Sequence, residues 1–402
     1  MSSVTRQNLV TELLRDACDV EARHAINDGQ SPMTPAEEAA ACTAVRDRLC
    51  GLGGFEQHMA NPRVEDIYAN GFDNVWLRFT DGTTAQAPPV ADSDEDLITL
   101  IRDAAARAGR DGGEERRWDP SAPQLRLQLP GGQRLQAIAW VARRPSVAIR
   151  CFRALNCTLD ELHAWDTIDA RLHSLLTAAV RAKRNILISG GQGAGKTTML
   201  RALLSLVPPG ERLGSVEDVF EIDVDLTGTH RNSLAFQARD PTVEGVGEVD
   251  VATLTQWGLR MRIDRLIVGE VRGLEVVAML LAMSQGWDGS IGTIHARTSE
   301  DALVRLIAYA YNRDERTIAM LASAAAPLVV HIAFRRDRPG QRVVSSVREV
   351  TGVDETGRRI QSTELFAPSA DRRALPAYPP SPQLLDELVD AGLDARLVGW
   401  GG

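Results

Sequence analysis

Apolar and polar positions follow two rhythms along this chain of 402 residues. At the amino terminus Leu9, Val10, Leu13, Leu14, Ala17 and Val20 recur at helical spacing, and the segment DGQSPMTP breaks the pattern. Thr34, Pro35 and Glu37 make a capping-box start with proline at the first helical position, so a second helix is expected to run to about Cys50. From Asn61 to about Phe79 (NPRVEDIYANGFDNVWLRF) the texture changes to strands and turns, with Asn70-Gly71 as a turn signal. Residues 97–108 read as a helix and GRDGGEERRWDPSAP as an exposed loop. LRLQL and QRLQAIAWV then alternate around Pro130-Gly131-Gly132, a hairpin signature. An α+β domain ending near Phe152 summarises this part.

From about Thr158 short β-branched runs alternate with helical patterns, the mark of a parallel sheet covered by helices. The strand candidates are NILIS (185–189), LGSVE (213–217), RLIVGEV (265–271) and SIGTIH (290–295), with helical stretches at 197–206, 274–285 and 299–309. LVVHIAF (328–334) and VVSSVREV follow, with a hairpin about Glu355-Thr356-Gly357. The tail from Pro368, with its cluster AYPPSP, reads as a poorly ordered linker and one last short helix. Four regions result: amino-terminal helices (1–50), an α+β domain (51–157), an α/β domain (158–366) and a tail (367–402).

Composition narrows the class. Hydrophobic residues make up 44% and charged residues 25%, as in soluble globular proteins, which excludes collagenous and wholly disordered chains. Apolar runs fall short of the ~18–20 residues of a spanning helix, and the first ten residues lack a signal-peptide pattern, so a cytoplasmic protein is expected. Five scattered cysteines without CxxC spacing suggest neither disulfides nor zinc, and buried thiols are the expectation. A net charge of −9 argues against a constitutive nucleic-acid binder. Of the 45 basic residues 43 are arginine; Lys183 and Lys196 are the lysines, and Lys196 lies in a glycine-rich segment.

That segment, GGQGAGKTT, matches G-x-x-x-x-G-K-[ST] between an apolar strand and a helix. Its glycines (Gly190, Gly191, Gly193, Gly195), with Gln192, Ala194 and Thr198, allow backbone amides to curl around phosphate at a helix N-terminus. Lys196 would reach the β- and γ-phosphates and the Thr197 hydroxyl would ligate Mg2+. RLIVGEVRG ends in Glu270, a carboxylate expected at the carboxyl end of a strand beside this loop, where it can hold the metal shell or polarise water. SVEDVFEIDV crowds Glu217, Asp218 and Glu221 into five positions, and SIGTIHAR puts His295 at a strand end.

In this order and spacing the four segments resemble the hexameric ATPases of type II and type IV secretion systems and type IV or Tad/Flp pili, most like the CpaF-like Tad branch. GGQGAGKTT corresponds to Walker A, SVEDVFEI to the Asp box, LIVGEVRG to the atypical Walker B and GSIGTIHA to the His box. EGVGEV (244–249), LRMRIDRLIVGEVRG and VEDIYANG (64–71) are similar too, so the resemblance spans about 51–366. It implies a Mg2+-dependent ATPase with a RecA-like P-loop domain. A smaller α+β, PAS-like domain and amino-terminal helices precede it. Glu221 matches the water-activating Asp-box glutamate, Glu270 the Walker B glutamate and metal ligand, and His295 the γ-phosphate-sensing second histidine of the His box. Arg134 and Arg150 occupy contexts similar to the arginines that the amino-terminal domain brings to ATP. Arg260, Arg262 and Arg272 flank the Walker B strand, with Arg272 expected to be structural.

The same resemblance implies a homo-hexamer at the inner face of the cytoplasmic membrane, held through a polytopic platform protein. It would assemble pili or drive secretion. The sequence departs from the family at Trp287, where the first His-box histidine is expected, at Arg297, Gln192 and Ala194, and at Ile263. Two alternatives follow: a nucleotide-binding ring with weak turnover acting as a scaffold, and a DNA-translocating ATPase.

Overall fold

The computed structural model describes residues 3–110, 117–151, 157–224, 228–239 and 246–400, side chains of 3–8 and 108–110 excepted. The expected domain end near Phe152 and the first residues of EGVGEV lie outside these segments. The chain divides into two compact units, Met1–Arg153 and Ala154–Gly402.

The first unit opens with the helices Ser3–Asn27 and Pro35–Cys50. Both halves of the capping box form: the Glu37 N–H donates to Thr34 Oγ1 at 3.3 Å and the Thr34 N–H to Glu37 Oε2 at 2.8 Å. The second helix buries no residue, because two helices without a further layer cannot enclose a side chain. This corrects the expectation for the thiols. Cys151 and Cys157 are buried, but Cys18, Cys42 and Cys50 are half-buried, with the sulfurs of Cys18 and Cys42 3.3 Å apart.

Six antiparallel strands follow: β1 (Val64–Asn70), β2 (Val75–Phe79), β3 (Thr84–Ala87), β4 (Gln124–Gln128), β5 (Arg134–Ile138) and β6 (Ser146–Arg150), in the order β3-β2-β1-β6-β5-β4. Burial alternates along β4, β5 and β6, so one face is core and the other wet. Leu125, Leu135, Val147 and Ile149 meet Leu97, Leu100 and Ile101 of the helix Asp94–Arg110 in one core. Trp118 joins that core and its indole N–H donates to the Pro123 carbonyl at 3.0 Å. The segment expected as an exposed loop is therefore anchored at its centre, since so large an apolar ring gains more from burial than a polar context can offset.

The second unit holds β7 (Ile186–Gly190), β8 (Leu213–Glu217), β9 (Ser233–Gln237), β10 (Arg265–Val271), β11 (Ile291–His295), β12 (Leu328–Phe334), β13 (Arg342–Val353), β14 (Ile360–Pro368) and β15 (Ala374–Pro376). Their order is β15-β14-β13-β12-β7-β11-β10-β8-β9. Pairing is parallel from β12 through β9 and antiparallel from β12 to β15. Strands β7 and β8 are buried at every position, as expected of a sheet covered on both faces. β11 lies between β7 and β10, so Glu270 is one strand further from the glycine-rich loop than the sequence suggested.

The tail is not a loose linker. β15 pairs with β14, and the helix Pro382–Asp390 buries Leu384 and Leu388, which join Leu393 and Val398 in the main core. Trp400 stands edge-on to Phe366 at 5.6 Å. The proline cluster misled because Pro382 sits in the first helical turn, where its missing N–H costs nothing. Among the described residues no helix is long and apolar enough to cross a membrane.

Candidate functional site

The parallel sheet sends the carboxyl ends of β7, β11, β10 and β8 to one edge, and the four sequence segments sit there. Gly190 ends β7 inside the sheet, where a Cβ would come within 2.7 Å of the Ile332 carbonyl. Gly193 and Gly195 have φ of +69° and +96°, values open to glycine at little cost. The helix Lys196–Leu204 begins at Gly195 with no side-chain cap, leaving the first-turn N–H groups to an anion. Gly191 and Gly193 have nothing within 4 Å of a Cβ position. Arg342 at the start of β13 donates its Nε–H to the Gly193 carbonyl at 2.8 Å. These features fit a phosphate cradle.

Lys196 is buried and its ammonium donates to the carbonyls of Gly190 and Gly191 at 3.3 and 3.1 Å. It also lies 3.2 Å from His295 Nδ1. An ammonium only donates, so Nδ1 accepts and the imidazole carries its proton on Nε2. Nε2 stands 2.6 Å from Glu270 Oε1, the acceptor for that proton. Glu270 Oε2 pairs with Arg272, whose other arm is 3.5 Å from Asp218 Oδ2. Burial opposes ionisation of Glu270, but the His295 hydrogen bond and the Arg272 charge overcome it and hold the carboxyl down to about 2. Lys196, His295, Glu270, Arg272 and Asp218 thus form one polar line across the carboxyl ends of four parallel strands, β7, β11, β10 and β8. Arg272, expected to be structural, bridges the Glu270 and Asp218 carboxylates within this line.

The Asp-box segment follows β8. Glu217 is 3% exposed, and its Oε2 accepts the N–H groups of Glu221 and Ile222, both at 2.8 Å. Burial pushes its carboxyl up to about 8. Arg201, on the Lys196–Leu204 helix, donates to the Glu221 carbonyl and, at 3.3 Å, to that of Ile222, and lies 3.7 Å from Asp223. Glu221 itself is half-buried.

For a divalent cation the donors are the Thr197 hydroxyl and Glu270; among the described residues no group of three or more His, Cys, Asp or Glu could cage one. That set suits Mg2+, which keeps several waters and leans on substrate phosphates.

In the first unit Arg134 and Arg150 face each other in register on β5 and β6, with Arg150 Nε 3.9 Å from Asp66 Oδ1. Trp287 lies before β11 begins, at the opposite end of that strand from His295. It packs half-buried against the core around Met283, and its carbonyl accepts the Ser290 hydroxyl at 2.7 Å. The position where the first His-box histidine is expected is thus filled by a packing residue. Ile263 is buried in the same core, and the Arg297 N–H donates to Asp301 Oδ2 at 2.8 Å beside the Thr298 cap of the next helix.

Three residues of the site gave no sequence signal that was used. His331 on β12 is buried, 2.9 Å from the Ser189 hydroxyl, and burial lowers it to about 4. Arg342 lies far along the chain from the loop it holds. Arg201 was detectable as the lone charge among Met199, Leu200, Ala202 and Leu203, all buried.

The family model described as "Type II/IV secretion system protein" matches residues 57–361. The putative conjugal transfer protein Rv3659c of Mycobacterium tuberculosis (strain ATCC 25618 / H37Rv) is 33% identical over 347 residues, covering 84% of this chain and 93% of that protein. Protein VirB11 of Rhizobium radiobacter is 28% identical over 304 residues, 67% of this chain and 85% of its own length. Among solved structures, the Legionella pneumophila ATPase DotB superposes with a TM-score of 0.51 at 17% identity, covering 75% of this chain and 80% of its own. The pilus retraction motor PilT with bound ADP does so at 0.50 and 18%, covering 75% and 83%. These two likenesses concern the mixed α/β fold. On the family match, which spans most of the chain, this protein belongs to the type II/IV secretion system protein family.

Proposed function

We propose that this chain is a Mg2+-dependent ATPase, ATP plus water giving ADP and phosphate, and acts as a ring-shaped homo-hexameric motor. It would work at the inner face of the cytoplasmic membrane on a polytopic platform protein. The observation that supports this best is the continuous contact from Lys196 through His295 to Glu270, which ties the phosphate loop to a half-buried, ionised carboxylate. The closeness of the four motifs to the CpaF-like branch favours Tad/Flp pilus assembly as the system served. In domain terms the reading is a PAS-like unit before a RecA-like one.

Bound ATP and Mg2+ supply the phosphoryl group and the charge that neutralises it. The amides from Gly191 to Thr198 and the Lys196 ammonium hold the phosphates. Lys196 then gives up its loop carbonyls and Nδ1 of His295, so His295 registers whether the γ-phosphate is present. Thr197 and Glu270 would hold the metal, which would supply positive charge beside the phosphates. Glu221 takes a proton from the attacking water. Arg134 and Arg150, directly opposite each other on β5 and β6, are the arginines of the first unit that we assign to ATP. A closed ring satisfies every heterologous boundary between its subunits.

Phosphate release measured against protein concentration, with light scattering under a non-hydrolysable ATP analogue, tests this. Turnover that rises with assembly into hexamers is expected. ATP binding without phosphate release would leave a scaffold, and turnover that needs DNA would make it a DNA translocase.

A further inference from the structure

The turn after β8 is held from two sides by buried polar groups whose cost needs a reason. Glu217 is almost fully enclosed, and while its Oε2 takes two N–H groups, its Oε1 has no hydrogen-bond partner. A carboxyl in that state weakens a core, and an apolar side chain of similar volume would fill the space at lower cost. What an apolar side chain lacks is the acceptor for the amides of Glu221 and Ile222. The opposite strand makes room for it: a Cβ on Gly269 would sit 2.9 Å from Glu217 Cγ, so β10 bears glycine next to Glu270.

Arg201 supplies the other side. Burial disfavours its charge, which the carboxylates of Glu221, Asp223 and Glu217 support. Its guanidinium grips the carbonyls of Glu221 and Ile222, the two residues whose N–H groups Glu217 holds. The peptide before Glu221 is thereby tied to β8, and the peptide after it both to β8 and to the helix that begins with Lys196.

We infer that Glu217 and Arg201 are positioning residues that clamp the backbone of Glu221 and set its distance from the phosphate loop. The inference rests on the ATPase reading of this site and deepens it. Displacement of a reacting group by about 1 Å can cost on the order of 100-fold in rate. Neither residue touches nucleotide; both act through Glu221.

The test uses the full-length protein and steady-state ATP hydrolysis. Glu217→Leu keeps the volume and removes the acceptor: kcat should fall about 10- to 100-fold while KM for ATP stays within about two-fold. Glu217→Gln, whose amide oxygen accepts both N–H groups, should recover kcat to within a few-fold. A folded E217L protein with parental kcat, or an E217Q protein as slow as E217L, overturns the clamp. Should E217L fail to fold, amide exchange in the parent decides: slow exchange at Glu221 and Ile222, retained in E217Q, supports the clamp, and exchange at solvent rates refutes it. Glu221→Gln separates the two readings. If E221Q is inactive and E217L is not, only the clamp falls; if E221Q turns over at the parental rate, Glu221 has no catalytic part and the clamp falls with it.

Discussion

The two sheets of this chain are built from comparable apolar strands, yet chemistry gathers at one edge of only the second. In the antiparallel sheet of the first unit, neighbouring strands end on opposite edges, so residues that end strands scatter. What it brings together lies across the strands, as with Arg134 opposite Arg150. In the parallel stretch from β12 to β9 all carboxyl ends share one edge. Residues as far apart in sequence as Lys196 and His295 then touch at 3.2 Å. Strand direction, more than strand content, decides where a site can form.

Lysine 196 offers the strongest way to break this contrast. K196A should abolish phosphate release, a loss of at least about 1,000-fold, because no other group in the loop offers an ammonium to the triphosphate. Parental turnover in K196A would dissociate the parallel edge from the activity.

Next comes Glu270. E270Q should keep ATP bound, seen by equilibrium binding of a fluorescent analogue, and lower hydrolysis about 100-fold. Because His295 and Arg272 hold this carboxyl at about 2, it stays ionised at working pH, and its contribution to stability persists above the ordinary carboxylate range and is lost only as pH falls toward 2. An acid limb in hydrolysis between pH 5 and 7 that disappears in E270Q would contradict this.

The antiparallel sheet is probed through its arginine pair. R134A and R150A should each reduce turnover about 10-fold while changing the melting temperature little, since a half-exposed arginine on a sheet face, with its ion pair, contributes only about 0–1 kcal/mol. Lower stability with full turnover would make the pair part of the sheet and nothing more.

Glu217 sharpens the contrast through pH. Its folded value of about 8 lies above the unfolded value near 4.5, so its stability contribution is complete below 4.5 and disappears as pH rises toward 8. Melting curves of E217Q and the parent should diverge over that window, the glutamine protein becoming the more stable by roughly 2–4 kcal/mol at pH 8. Parallel curves would show that the carboxyl is ionised when folded.

The smallest effect is expected at Trp287. W287H should lower stability by about 1–2 kcal/mol through lost apolar burial and leave kcat within about two-fold. A clear rise in turnover would mean that the far end of β11 communicates with His295.

Local chemistry made much of this legible from the sequence. The capping box at Thr34, the hairpin at Pro130-Gly131-Gly132 and the strands β8, β10, β11 and β12 were readable because turn residues and apolar runs act over a few positions. The P-loop was readable for the same reason, since strand, glycines, lysine and helix are contiguous. Reading failed where burial is set by distant residues. Trp118 looked exposed in a polar stretch, and the tail looked loose because the core that Leu384 and Leu388 join is built from residues far away in the sequence. What only the tertiary structure decided is the order of the strands. That order put β11 between β7 and β10, so that His295 became the link between Lys196 and Glu270, set Arg272 between the Glu270 and Asp218 carboxylates, left Trp287 to packing, and enclosed Glu217 under its turn. Neighbours in a parallel sheet are separated by whole crossover helices, and the pairing energy that chooses them is spread over entire strands, so no local pattern records which strand lies beside which.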